Sequence, residues 1–421
     1  MQLIKKTYEN IGEVTFFGVH GSGLKVYIIP KPGFGKAYAI FGTKFGSVTN
    51  RFSLRGEDVV IPDGVAHFLE HKLFEEPEGN IFSEFAAQGA AANAFTSFDI
   101  TAYLFSVTGG VYNSLKTLLE FVQNPYFTDE NVAKEQGIIG QEITMYNDDA
   151  GWRVFFNMLG AMYPEHPIRI DIAGSIESIS EIDKEILYKC HEAFYHPSNM
   201  ALCIVGDVVP EKAAEVIENS IKKSSPPSFM SELPHDDGGI LKSYTEQKMS
   251  VARPIFSMGF KEKAGTGVYK TAQYDVLLEM IFGKSSPLYN YLYDSSLINP
   301  SFSADAALGD SYGFVEMNSE SDDPEKVRDI ILEHLRELRK TGLDKEDFEV
   351  VKKALYGRFL SAQNNIEQTG GAVIRAAFAA DDYFSYAEAL MDMPFSDVWD
   401  LFGKALSEDR CVLSVVRPLG G

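Results

Sequence analysis

Residues 67–71 read His-Phe-Leu-Glu-His. His67 and His71 are four apart, and on a helix that spacing stacks two imidazoles on one face, where both can reach one metal ion. Glu70 stands beside them, three residues after His67. A carboxylate there can take a proton from a water next to such an ion, the chemistry of metal-assisted hydrolysis. The order is the reverse of the commoner His-Glu-x-x-His zinc motif. Two histidines do not complete a site, because hydrolytic zinc usually keeps three protein ligands and an open position. Glu135 and Glu142 are seven apart in a second long helical stretch, so both lie on one face and both can turn toward the histidines. One would touch the metal and the other would orient a ligand. Two histidines four apart are, by themselves, more often an ordinary half-buried pair. Glu70 shifts that balance, because a buried carboxylate beside two imidazoles costs free energy that a cation offsets.

The elements that must position these residues follow from the pattern. The histidine helix starts near Val65, with Asp63 as its cap after the turn Ile61-Pro62-Asp63-Gly64. Before it, 24–30 and 37–41 read as strands, and Phe45-Gly46-Ser47 as a strand running into a turn. Residues 91–107 read as paired strands turning at Phe98-Asp99. Residues 111–122 are amphipathic and helical, stopped by Asn124-Pro125. A helix over 129–146, capped by Thr128, carries Glu135 and Glu142. The apolar run MALCIVGDV is a strand, a helix over 211–222 follows, and then KKSSPPSFMSELPHDDGG reads as a linker. Beyond it the order repeats: strand 251–260, helix 270–282, strand pair 303–317, helices 324–341 and 344–362, and a closing strand from Arg410. An α+β protein with two homologous domains is expected, the metal residues in 1–223, a linker over 224–243, and a second domain over 244–421 without metal ligands.

Composition narrows the function. A chain of 421 residues exceeds one ordinary core. With 45% hydrophobic and 23% charged residues it is a folded globular protein. A net charge of −22 argues against nucleic acid and against an anionic membrane surface, and suits a cationic or extended peptide. Cys190, Cys203 and Cys411 match no zinc or redox spacing, so buried thiols in a reducing, cytoplasmic setting are expected. The opening residues MQLIKKTYENIGEV hold no apolar core of signal-peptide length, and no run reaches the ~20 apolar residues that span a bilayer.

The stretch HFLEHKLFEEPEGNIFSEFAAQGAAANAFTSFDITAYLFSV resembles the pitrilysin–insulysin–mitochondrial processing peptidase superfamily of inverzincin zinc peptidases, as do EQGIIGQEITMYNDD, HPIRIDIAGSIESIS and FYHPSNMALCIVGDV. The resemblance implies a processing-peptidase-like fold in which each domain is a mostly antiparallel sheet packed with helices on one side. It implies one Zn2+ per chain held by His67, His71 and Glu142, Glu70 as general base and Glu135 as the carboxylate behind a ligand. It also implies that the strand at Ala92–Ser97 is an edge that pairs with the substrate backbone. Asn93 and Ala94 are the expected contacts, ahead of Phe95. The spelling HFLEHKLFE with GAAANAFTSF is similar to a bacterial subgroup, the elongation factor P 5-aminopentanol modification-associated proteins.

Active members of the superfamily complete the site with an Arg and a Tyr in a Leu-Arg-x6-Tyr type motif. Here PLYNYLYDSSLINPSFSAD puts Tyr293 where the Arg is expected and Asn299 near the Tyr, and no arginine lies between Arg253 and Arg328. The chain is also half an insulysin-like enzyme. Both departures imply a homologous partner subunit supplying the clamp in a heterodimer, with a homodimer as the simpler alternative. The rivals are a scaffold subunit, as in the core subunits of the respiratory bc1 complex, and a metalloprotein serving a modification pathway.

Overall fold

A computed structural model describes residues 1–77, 79–234, 236 and 238–420. Seven strands, β1 (Ile4–Tyr8), β2 (Glu13–Val19), β3 (Lys25–Pro30), β4 (Ala37–Thr43), β5 (Ala90–Thr96), β6 (Thr101–Val107) and β7 (Met200–Gly206), form one sheet in the order β1-β2-β3-β7-β4-β6-β5. Only β3 and β7 run parallel; the other neighbours are antiparallel. Five further strands, β8 (Tyr244–Met249), β9 (Ile255–Lys261), β10 (Ser303–Leu308), β11 (Gly313–Glu320) and β12 (Cys411–Pro418), form a second sheet in the order β8-β12-β9-β11-β10, with β8 and β12 parallel. The run β3-β7-β4-β6-β5 and the whole second sheet place their strands identically: first, last, second, fourth, third. The duplication expected from the order of elements is thus one topology laid down twice.

Seven helices matter here: α1 (Val65–Leu73), α2 (Val111–Val122), α3 (Asp129–Asp148), α4 (Ala150–Met162), α5 (Val268–Phe282), α6 (Pro287–Asp294) and α7 (Ile366–Phe378). Helix α1 packs on β5 and β6, and α2 on β6 and β4. The core beneath them is aromatic, with Tyr103 against Phe74 and Phe121, and Phe85 against Phe105. Strands β4 and β7 are buried along their whole length, which explains why MALCIVG is continuously apolar rather than alternating.

Two compact units emerge, and neither is contiguous. One comprises Met1–Ile143, Asp171–Glu232 and Leu360–Phe384; the other comprises Thr144–Ile170, Leu233–Phe359 and Ser385–Gly421. In the first, α7 lies on β4 and β7, touching the face of β4 formed by Tyr38, Ile40 and Gly42, opposite the face that meets α2. The approach is close: a Cβ at Gly370 would sit 2.7 Å from the Tyr38 ring. In the second, α4 lies on β8, β9 and β12, where Asn157 Nδ2 donates to Gln247 Oε1 at 2.7 Å. Each sheet is therefore completed by a helix encoded in the other half of the chain.

Two local expectations change. Phe45-Gly46-Ser47 is loop, because the Ser47 and Val48 amides donate to the Ser97 and Phe98 carbonyls and brace the β5–β6 turn. Within 224–243, Phe229–Ser231 forms a short strand paired with Arg51–Leu54. The three cysteines are buried and unpaired. Among the described residues, no helix is long and apolar enough to cross a membrane.

Candidate metal centre

Helix α1 opens at Gly64, not on an Asp63 cap: Gly64 is the N-cap residue, in the left-handed region at φ 92°, and no side chain caps it. The reason is tertiary. A Cβ on Gly64 would lie 2.5 Å from the Ala173 carbonyl, so the passing loop admits only glycine, and Ser178 Oγ donates to the Asp63 carbonyl instead. Val65, Phe68, Leu69 and Leu73 anchor α1 in the core, and the remaining face carries His67, Glu70 and His71. Helix α3 starts as expected, with the Asn131 amide donating to Thr128 Oγ1 and the Thr128 amide to Asn131 Oδ1.

Glu142 meets both imidazoles. Its Oε1 is 3.7 Å from His67 Nε2 and its Oε2 is 3.5 Å from His71 Nε2. One donor atom from each of the three residues falls within 4.8 Å of the others. Two ligands held ~2.1 Å from one ion at a tetrahedral angle lie ~3.4 Å apart, so the donor set suits a cation between the side chains. Glu135 does not join it. It accepts from His71 Nδ1 at 3.1 Å, which holds the ring with Nε2 facing Glu142. Behind it, fully buried Lys72 pairs with Glu75 and stands 3.9 Å from Glu135 Oε2.

The ionisable groups of the cluster shift in different directions. Burial, helped by the neighbouring His71, pushes His67 down to about 4, which leaves it a neutral imidazole with one ring nitrogen able to accept. Burial also lowers His71, but the Glu135 hydrogen bond and the surrounding carboxylates outweigh it and the net shift is upward. Burial would raise Glu135; its bond to His71 and the charges of His71, Lys72 and Lys134 hold it low instead. Glu70 is raised by burial, against the Thr96 hydrogen bond and His71.

A cleft of about 920 Å³ opens beside this cluster, lined among others by Glu70, His71, Phe74, Asn93, Ala94 and Tyr126. Strand β5 is the edge of its sheet. The Ser97 amide bonds the Ile100 carbonyl at 2.8 Å, and antiparallel alternation from that pair turns the backbone N–H and C=O of Ala92, Ala94 and Thr96 outward. Asn93 folds its own Oδ1 onto the Ala94 amide at 2.9 Å.

In the second unit, Tyr293 is exposed at the end of α6 and stacks on Tyr289, while Asn299 donates to Glu320 at 3.1 Å. Arg253 is engaged with Asp322 through two hydrogen bonds, and Arg328 with Asp329.

Family models match in two blocks: insulinase (peptidase family M16) over residues 60–175, and the peptidase M16 inactive domain over residues 181–355. A Bacillus subtilis (strain 168) protein named as the uncharacterized zinc protease YmfH is 42% identical over 98% of both chains. The chain belongs to peptidase family M16. A crystal structure of an M16-like peptidase from Alicyclobacillus acidocaldarius superposes on 99% of both chains with a TM-score of 0.93 and 37% identity. Pitrilysin shares the fold at a TM-score of 0.80 and 16% identity, with 99% of this chain matched to 46% of that one. The block matching the peptidase model contains every residue discussed around the cleft, and the block matching the inactive-domain model contains Tyr293 and Asn299.

Two residues of this M16 centre lay outside the expected set. Thr96 donates to Glu70 Oε2 at 2.7 Å, and Lys72 is buried beneath Glu135. Thr96 was accessible from strand periodicity, two residues after Ala94 on the same face. Lys72 carries no such signal, since a lysine on an amphipathic helix normally reads as solvated.

Proposed function

We propose that this chain is a zinc-dependent metalloendopeptidase acting on small or unfolded peptides within a chamber completed by a homologous subunit. The observation that carries the reading is the placement of both oxygens of Glu142 opposite the Nε2 atoms of His67 and His71. These three residues would hold one Zn2+ per chain, and Glu135 orients His71. When bound, zinc supplies Lewis acidity toward the attacking water and the peptide carbonyl. Glu70 takes the proton that the attacking water loses and returns it to the leaving amine. Its burial raises its affinity for that proton.

The peptide adds as a strand beside β5, bonding the outward backbone groups of Ala92 and Ala94, with Asn93 moving off the Ala94 amide to admit it. Main-chain pairing of this kind fixes direction without demanding a sequence, which suits unfolded peptides. A partner is supported by Tyr293 and Asn299, which offer no guanidinium where the superfamily places one. A heterodimer is favoured over a homodimer because a second copy would also lack the arginine. A cytoplasmic setting accords with three buried thiols.

The competing reading is a scaffold subunit of a modification or assembly complex, suggested by the match of residues 181–355 to the peptidase M16 inactive-domain model. Purified chain loaded with zinc should cleave quenched fluorescent peptides slowly alone and faster with a copurifying homologue. Equal rates with and without the homologue would remove the paired chamber. Full biological activity in Glu70→Gln would replace the peptidase by the scaffold.

A further inference from the structure

Thr96 joins two parts of the proposed site. Its side chain belongs to the face of β5 that carries Ala92 and Ala94, opposite Phe105 and Tyr103 in register. Alanines there let α1 approach the strand closely, and Thr96 is the polar member of the row. Its hydroxyl donates to Glu70 Oε2 at 2.7 Å. An ionised carboxylate only accepts, so Thr96 is the donor; the neighbouring Thr101 Oγ1, 3.4 Å away, gives its own proton to the Phe45 carbonyl at 2.9 Å. Thr96 is thus a donor to Glu70. Its backbone meanwhile has its free N–H and C=O on the open edge, in line with those of Ala92 and Ala94.

We infer that Thr96 is a positioning residue that holds the Glu70 carboxylate in the orientation for proton transfer and ties that orientation to the strand on which the peptide docks. This rests on the hydrolytic reading above. With Oε2 engaged by Thr96, Oε1 is the oxygen that exchanges the proton between attacking water and leaving amine; the Thr96 proton stays on its own oxygen throughout. Peptide binding at the edge bonds the backbone of the same residue whose side chain steadies the base, so docking and base geometry are registered by one strand rather than by separate elements.

Thr96→Val keeps the shape and β-branching and removes the donor, while Thr96→Ser keeps the donor. A hydrogen bond to a charged group is worth roughly a 10- to 100-fold factor, so kcat of Thr96→Val should fall by about that much. KM, zinc content and Tm should stay near wild type, and Thr96→Ser should recover most of the rate. Crystal structures of the zinc-loaded variants supply a readout independent of turnover: Glu70 should turn to another rotamer in Thr96→Val and keep its place in Thr96→Ser. Glu70 unmoved in Thr96→Val, or kcat of that variant within about twofold of wild type where a 10-fold loss is expected, would overturn the inference. Turnover retained by Glu70→Gln would instead overturn the hydrolytic reading, and the Thr96→Val crystal structure would then still decide whether Thr96 orients Glu70.

Discussion

The two repeats set five strands in one order and then diverge at the helix after the second strand. In the first it is α1, nine residues that bury His67, Glu70 and Lys72 among apolar neighbours. In the second it is α5, fifteen residues that bury Ala272, Tyr274, Val276, Leu277, Leu278, Ile281 and Phe282. The third strand differs as well. In β5 the row facing α1 is alanine closed by Thr96, whereas the matching row of β10, Ala304, Ala306 and Leu308, stays apolar to its end and packs into the core. A shared scaffold thus supports opposite choices. One helix gives up core area to hold polar groups that must be balanced by partners; the other is built from apolar contact and holds its sheet together.

That contrast can be broken in order of expected effect. Glu70→Gln should lower peptide turnover by roughly 10²- to 10⁴-fold, the share of a general base, with zinc content by elemental analysis unchanged. Leu277→Ala in α5 should cost about 2–5 kcal/mol in urea unfolding, as for other buried leucines, without touching zinc affinity of the folded protein. Chelation should remove about 2.7 kcal/mol of stability from wild type assayed at a hundredfold excess of zinc over Kd, read as a fall in Tm, and Glu142→Ala should show no such zinc-dependent shift.

Acid should treat the two units alike. His191 in the first and His166 in the second are each pushed to about 4 by burial, against ~6.5 when unfolded. The unfolded chain then binds more protons between these values, so stability is full above pH ~6.5 and is lost as pH falls toward 4. Each histidine should account for about 2 kcal/mol by pH 5, and His191→Gln should flatten the stability–pH slope below pH 6.5.

Much of the centre was legible because it is written in helical spacing. Residues 67, 70 and 71 share one face and 135 and 142 another, so only the meeting of two helices remained to be supplied. What could not be read is what depends on chain passing chain. Gly64 replaces Asp63 at the helix start because the loop at Ala173 comes within reach of a Cβ. Thr96 meets Glu70 only once β5 is folded under α1. The exchanged helices leave no local mark, since α4 and α7 are amphipathic whichever sheet they cover.

The exchange of α7 has a consequence for synthesis. Its last residue, Phe378, is translated 172 residues after Gly206 completes the first sheet. At ~5–20 residues per second that interval is on the order of 10–30 s, during which the Tyr38–Ile40 face waits without its cover. Chains stalled shortly after residue 232 should accordingly be cut rapidly by protease in β4 and β7, and chains released beyond residue 384 should not. An M16 chain built this way leaves one face of its first sheet uncovered until nearly nine-tenths of it has been made.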